Sequence, residues 1–481
     1  MSQIQRVLEK WAVIFAALFA IVWAILRACL QSVTQDEGDT YFWFASKPAS
    51  YIWHPFPNNH VLNTAMIWIT TRVFPLSSFS LRLPAVLGAA IYSAVCYFLC
   101  RGLTSRISIQ LSIFVCLVYN PFLLDFMACA RGYSLANAFL LAAIAIPLWC
   151  RAGGRSLGAS CALASTALGL SFAASFSFCF ADLAAFLAIL AWAIPEANKR
   201  SESITGTVAF CLLPGLVVAA ALCAYPLAHW PKGEFFYTAH SLKEMARSMI
   251  DVSLYRVPRR FARIQLWMPW VLAALAGLCM VQAIMTGFRN RYINMLTAIV
   301  ALTVTLHWLA YKMDKLPLPM THTGTFFIPL CTLALGAVAA APARLAITRW
   351  LNQGIVALFL MVACYYLLCL RHTYFQEYAD DADTKEVYGV LAKLNHTYGV
   401  TDTAMDGLFV APLSFYRVIS RKETFPEFLY VPLDTFPTGK SIYVLHGGYF
   451  RDFIKAQKLA IVYHGSRSEV VVAVKPTLVE H

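Results

Sequence analysis

Asp36, Glu37 and Asp39 crowd together in the stretch QSVTQDEGDTYFWFASKP, directly after an apolar run from Trp11 to Leu30. Like charges this close disfavour joint ionisation, so at least one carboxyl titrates high. A carboxylate tuned that way serves as a general base. A solvated acidic loop balancing Lys47 is the competing interpretation. The next stretch, YIWHPFPNNHVLNT, sets His54, Asn58, Asn59 and His60 among aromatic rings and prolines. Rings that stack and amides that hydrogen-bond suit a sugar or a phosphate. The same residues also fit a rigid proline-rich connector with interfacial tryptophans.

Cations follow at matching positions. In NPFLLDFMACARGYSLA, Asp125 and Arg131 lie six residues apart across a turn. A guanidinium there can grip phosphate oxygens bidentately, or it can close the turn by pairing with Asp125. In YKMDKLPLPMTHTGTFFIP, Lys312, Lys315 and His322 add positive charge, and Gly324 permits close approach of a backbone or ligand. Snorkelling lysines at the end of an apolar run are the alternative. The segment from His229 to Gln265 carries His240 and the basic run YRVPRRFAR, in which Arg259 and Arg260 fit an anionic lipid headgroup or plain solvation equally well. The fourteen cysteines all precede Arg371 and show no C-x-x-C spacing, so they act as small apolar packing residues, and no metal site is expected.

The elements that position these groups are set by composition. Hydrophobic residues make up 59% of the chain and charged residues 13%, against about 25% charged in soluble domains. That much apolar sequence needs a bilayer. The net charge of +13 is spread in short pairs between apolar runs, which excludes a nucleic-acid face and suits membrane topology. Runs near 11–31, 80–100, 107–126, 132–150, 157–174, 176–195, 205–228, 267–287, 292–311, 323–341 and 350–370 read as about eleven spans. The stretch 60–75 is short, carries Asn63 and Arg72 and ends at Pro75, so it reads as an interfacial helix. With a cytoplasmic N-terminus, every inner segment then holds a basic pair, such as Arg101 with Arg106 or Lys199 with Arg200. The chemistry-bearing loops and everything after Arg371 fall outside the cell's inner (plasma) membrane. The expected architecture is an all-α membrane domain, 1–371, and a small extracytoplasmic α/β domain, 372–481. In the latter, a helix carries Val387, Leu391 and Leu394, capped by Asp383 or Thr384, and strands run at 441–445, 460–463 and 469–474.

The ordered set of Asp36-Glu37, PNNHVLNT, LRLPAVLG and NPFLLDFMACARGYSLA resembles GT-C type glycosyltransferases. That superfamily includes protein O-mannosyltransferases and the aminoarabinose transferase that modifies lipid A. The resemblance covers the membrane part and implies a polyprenyl-phosphate-linked sugar donor, an external glycan, lipid or protein acceptor, no cofactor and no metal. It implies Asp36 as the base in an inverting displacement, with Glu37 positioning the acceptor or supporting Asp36. Arg131 and the loop from Lys312 to His322 would hold the lipid phosphate. Two departures stand out. His322 occupies the place of an arginine before Thr-Gly, leaving Lys312 or Lys315 as substitutes. His54-Pro55-Phe56 also replaces an HPP motif, so a protein acceptor is not implied. A transporter or flippase of lipid-linked sugars is the main rival, with Asp182 inside an apolar run as its one acidic residue. A non-enzymatic membrane scaffold is the other.

Overall fold

A computed structural model describes residues 3–153, 156–231, 238–255, 261–286, 291–341, 345–420, 425–431 and 436–478. The chain opens with α1 (Gln3–Leu30) and the short α2 (Gln35–Asp39), which runs on into a π-helical turn at Thr40–Ala45. Next come α3 (Val61–Val73), α4 (Ser78–Leu103), α5 (Ile107–Val118), α6 (Pro121–Phe126), α7 (Tyr133–Gly153), α8 (Leu157–Ala174), α9 (Cys179–Lys199) and α10 (Ile204–Ala228). After β1 (Thr238–Ala239) follow α11 (Leu242–Ser253), α12 (Ala262–Thr286), α13 (Arg291–Asp314), β2 (Leu318–Pro319), α14 (Phe327–Ala340) and α15 (Ala346–Leu368).

Among the described residues, 10 helices are long and apolar enough to cross a membrane. The chain is therefore an integral, multi-pass membrane protein. The expected span over 107–126 is divided. Asn120 accepts from the Phe122 and Leu123 N–H groups, and Pro121 opens a fresh helix. The 12-residue α5 before it is shorter than the roughly 20 residues a span needs. The stretch expected as a short helix forms α3, whose 13 residues are likewise too few to span.

Two compact units emerge. The first comprises residues 1–25, 55–63 and 84–370. Its helices approach closely where residues are small. A Cβ on Gly215 of α10 would lie 2.3 Å from the Ser165 carbonyl of α8, and the Gly215 N–H donates to Ser165 Oγ at 2.8 Å. Close backbone contact of this kind is what holds helices together in lipid.

The second unit comprises residues 26–54, 64–83 and 371–481. Its distal part holds α16 (Thr384–Tyr398), β3 (Thr403–Met405), α17 (Gly407–Ile419), β4 (Ile442–His446), α18 (Arg451–Ala456), β5 (Ala460–His464) and β6 (Val470–Val474). The sheet order is β3-β4-β6-β5, with β3 and β4 parallel and the other pairs antiparallel. Tyr443, Leu445, Ile454, Val471 and Ala473 form its core. The strands and the first helix fall within a residue or two of their expected positions. β3 and α17 are additional to the expected elements.

Asp383 stands at the N-cap position of α16 without a capping bond. Its carboxylate instead accepts from the Arg467 and Ser468 N–H groups and the Ser466 and Ser468 hydroxyls, fastening the β5–β6 turn. Burial works against its charge, but these bonds outweigh it and hold the carboxyl below its ordinary range.

Candidate active site

Within the second unit, a tightly bonded frame holds the acidic cluster. The Thr34 Oγ1 accepts from the Glu37 N–H at 3.3 Å, and Glu37 Oε2 accepts from the Thr34 N–H at 2.9 Å. This reciprocal capping starts α2. Arg82, near the start of α4, donates from Nε to Glu37 Oε1 at 2.7 Å and from Nη2 to Oε2 at 2.6 Å, and both side chains are 0% exposed. Nη2 also donates to the Ser32 carbonyl at 2.6 Å, and Nη1 donates to Gln31 at 2.8 Å and Ala28 at 3.2 Å. All five guanidinium N–H groups are engaged. The accepting carbonyls lie at the end of α1, where a cation also satisfies orphaned carbonyls and the helix dipole. Glu37 is therefore committed to the frame.

Asp36, one residue before it, is only half-buried. Its carbonyl accepts from the Thr40 hydroxyl, and its Oδ2 accepts from the Tyr378 hydroxyl at 2.8 Å. The Gln35 N–H donates to Asp381 Oδ2 at 2.8 Å. Asp381 is buried, and its carboxyl titrates well above the ordinary value. Burial is the first cause, joined by the nearby charges of Asp36, Asp380 and Glu37, with the Gln35 N–H working the other way. His54 is exposed and stacks on Tyr51, ring centroids 5.7 Å apart, with Phe44 at 5.9 Å.

Within the first unit, Tyr133 at the start of α7 is the hub of a second cluster. Its ring centroid lies 4.9 Å from Phe126, 4.9 Å from His60, 5.6 Å from His322 and 5.9 Å from the Arg131 guanidinium carbon. Arg131, His60 and His322 are all buried. The Arg131 turn is pinned by Asn63, whose amide donates to the Ala130 carbonyl at 3.1 Å. At Gly132, a Cβ would lie 1.8 Å from the Ala174 carbonyl, so no other residue fits there. The same carbonyl lies 2.9 Å from His60 Nδ1. His322 sits in the 3-10 turn Thr321–Gly324, which Asn137 of α7 reaches through the adjacent Thr325 hydroxyl at 3.3 Å.

The structure thus brings together Arg131, His60 and His322. Asn59 is buried beside His60, its N–H donating to the Phe56 carbonyl. Asp125 is buried, and its carbonyl accepts from the Ala128 and Cys129 N–H groups. Lys312 and Lys315 are exposed, with the Lys312 ammonium 5.6 Å from the Tyr311 ring centroid. Arg259 and Arg260 lie outside the described residues.

Sequence reasoning gave no role to Arg82, Tyr133, Tyr378 or Asp381. Two signals were available for the frame: T-x-x-E at 34–37 is a capping-box pattern, and Arg82 is a lone charge entering an apolar run.

The fold is of the GT-C type. It is similar to the crystal structures of ArnT, the lipid A aminoarabinose transferase, from Cupriavidus metallidurans. Against the apo state the TM-score is 0.52 at 10% identity over 98% of each chain. Against the form bound to undecaprenyl phosphate it is 0.52 at 11% identity, covering 98% of this chain and 99% of that one. The cryo-EM structure of the arabinosyltransferase EmbB from Mycobacterium smegmatis matches at a TM-score of 0.42 and 12% identity, over 85% of this chain and 42% of that one. No family model and no curated protein matches the sequence.

Proposed function

We propose that this protein is an inverting glycosyltransferase that moves a sugar from a polyprenyl phosphate to an acceptor hydroxyl or amine outside the cytoplasm. The observation that carries it is the buried Glu37–Arg82 pair, with every guanidinium N–H used. Buried ion pairs add little stability relative to apolar packing, so one kept in this form argues for a geometric purpose. That purpose is to fix a five-residue helix with Asp36 at its rim. Fold alone does not assign a reaction, but the likeness to ArnT, which has been crystallised with undecaprenyl phosphate, supports a lipid carrier of that kind.

In this scheme Asp36 takes the proton from the acceptor as its oxygen or nitrogen attacks the anomeric carbon. The bond from that carbon to the phosphate oxygen breaks, and polyprenyl phosphate leaves. Within the first unit, Arg131 with His60 and His322 beside it is the cluster whose chemistry suits the phosphate. A fixed cation in a water-poor site stabilises such a charge more than one in water. Glu37 supports Asp36 rather than touching the acceptor, because its oxygens are already taken. A flippase would place its acidic group near mid-membrane, whereas Asp182 stands in the first turn of α9.

The test is release of polyprenyl phosphate by purified protein given polyprenyl-phosphate-linked sugars. Asp36→Asn should lower turnover by about 10²–10⁴-fold, the usual contribution of a general base, with expression and melting temperature unchanged. Near-full turnover in that variant would sink the proposal.

A further inference from the structure

The segment that follows the last membrane helix does more than connect. It is bonded on both sides of Tyr378 to the residues that lead into α2. On one side, Arg27 Nη2 donates to the Tyr374 carbonyl at 3.4 Å, and the Phe375 ring is fully buried with the Arg27 and Arg82 guanidinium carbons 5.1 and 5.0 Å from its centroid. On the other, Gln35 N–H donates to Asp381, Ser32 Oγ donates to the Ala382 carbonyl at 2.9 Å, and Thr384 Oγ1 donates to the Val33 carbonyl at 3.1 Å. Between these anchors, the Tyr378 N–H bonds to Phe375 and its carbonyl accepts from Asp381, so the backbone carrying the phenol is fixed as well. Arg82, which grips Glu37, also lies over the Phe375 ring. One cation therefore organises both the segment carrying Asp36 and the segment carrying Tyr378.

We infer that Tyr378 is a positioning residue for Asp36: its phenol O–H, 2.8 Å from Oδ2, fixes the rotation of the carboxylate that takes the acceptor's proton. The inference rests on the reading of Asp36 as base. A hydroxyl donor to a carboxylate does two things. It selects one rotamer, which matters because a base acts only within hydrogen-bond reach of its proton. It also favours the ionised form, keeping the group ready at lower pH. The tail thus supplies a hydrogen-bond donor to this carboxyl group.

Tyr378→Phe removes only the hydroxyl and keeps the ring. In the full-length protein, the pH dependence of carbodiimide labelling at Asp36, read by peptide mass spectrometry, follows its protonation without any substrate. The midpoint should move up by about one pH unit, the size expected for one bond to a charged group. The acid limb of kcat/KM, measured with a farnesyl-phosphate sugar that the unaltered protein turns over, should move with it. The donor KM should stay unchanged, and kcat should fall about tenfold. An unmoved labelling midpoint would overturn the inference. So would a moved midpoint with unaltered kcat and acid limb, since the bond would then be real but irrelevant to transfer. Retained turnover in Asp36→Asn would strike the base assignment instead, and that result comes from a different variant.

Discussion

Two carboxylates adjacent in sequence are divided by their surroundings into a half-buried group, the proposed base, and an enclosed one. Asp36 is half-buried and shares one oxygen with a phenol, while Glu37 is enclosed and bonded on both oxygens. Their substitutions should therefore differ in kind. Asp36→Asn should lose transfer and keep its melting temperature. Glu37→Gln should leave the Arg82 charge buried and uncompensated, costing about 3 kcal/mol, read as a lower melting temperature in detergent together with lost transfer. Equal stability of the two variants would contradict that division. Arg131→Ala should raise the donor KM about tenfold or more, the worth of a charge-assisted bond, with a smaller effect on the acceptor. The sequence made Asp36, Glu37 and Arg131 visible because charges at the ends of apolar runs are conspicuous. It could not separate the proposed base from its proposed support, because that depends on Arg82, forty-five residues away from Glu37.

At the scale of elements, short turns do the positioning, and they leave weaker marks in sequence than spans do. The Arg131 turn lies against the end of α8 with no room for a side chain at Gly132. Gly132→Ala should displace it and lower both expression and transfer, whereas Gly277→Ala, in open space on α12, should do neither. Asp383 illustrates the limit of local patterns. Its type and position predict a helix cap, yet the β5–β6 turn outcompetes the helix for its carboxylate. Because its folded-state value is depressed, its contribution is complete above about pH 4 and fades as pH falls below the unfolded carboxyl's value. Asp383→Ala should cost about 2 kcal/mol at neutral pH, and less in acid, by thermal melting. The long apolar helices were legible because composition and length suffice for them. The division at Asn120–Pro121 was signalled by the proline, but continuous hydrophobicity on both sides masked it.

At the scale of the whole chain, residues 26–54 share a compact unit with residues 371–481. Composition reveals a polar tail, but no single-sequence signal reveals that it pairs with a loop more than 300 residues earlier. We therefore expect a chain ending at residue 371 to lose transfer and to become open to proteolysis within 31–40. Resistance there would mean that the first loop holds itself. Asp381 gives this unit a pH signature. Its raised value means that the folded state keeps a proton the unfolded chain has released, so this group's contribution is most favourable below about pH 4 and declines as pH rises towards the folded value. Asp381→Asn should flatten that decline and raise the melting temperature at pH 7–8. At Gly38 a Cβ would lie 2.7 Å from the Ala411 carbonyl carbon, so α2 and α17 meet backbone to backbone. A contact this tight makes loop and tail a matched pair. A chimera that borrows its last hundred residues from a protein of the same fold should work only when the donor's opening loop is grafted along with them.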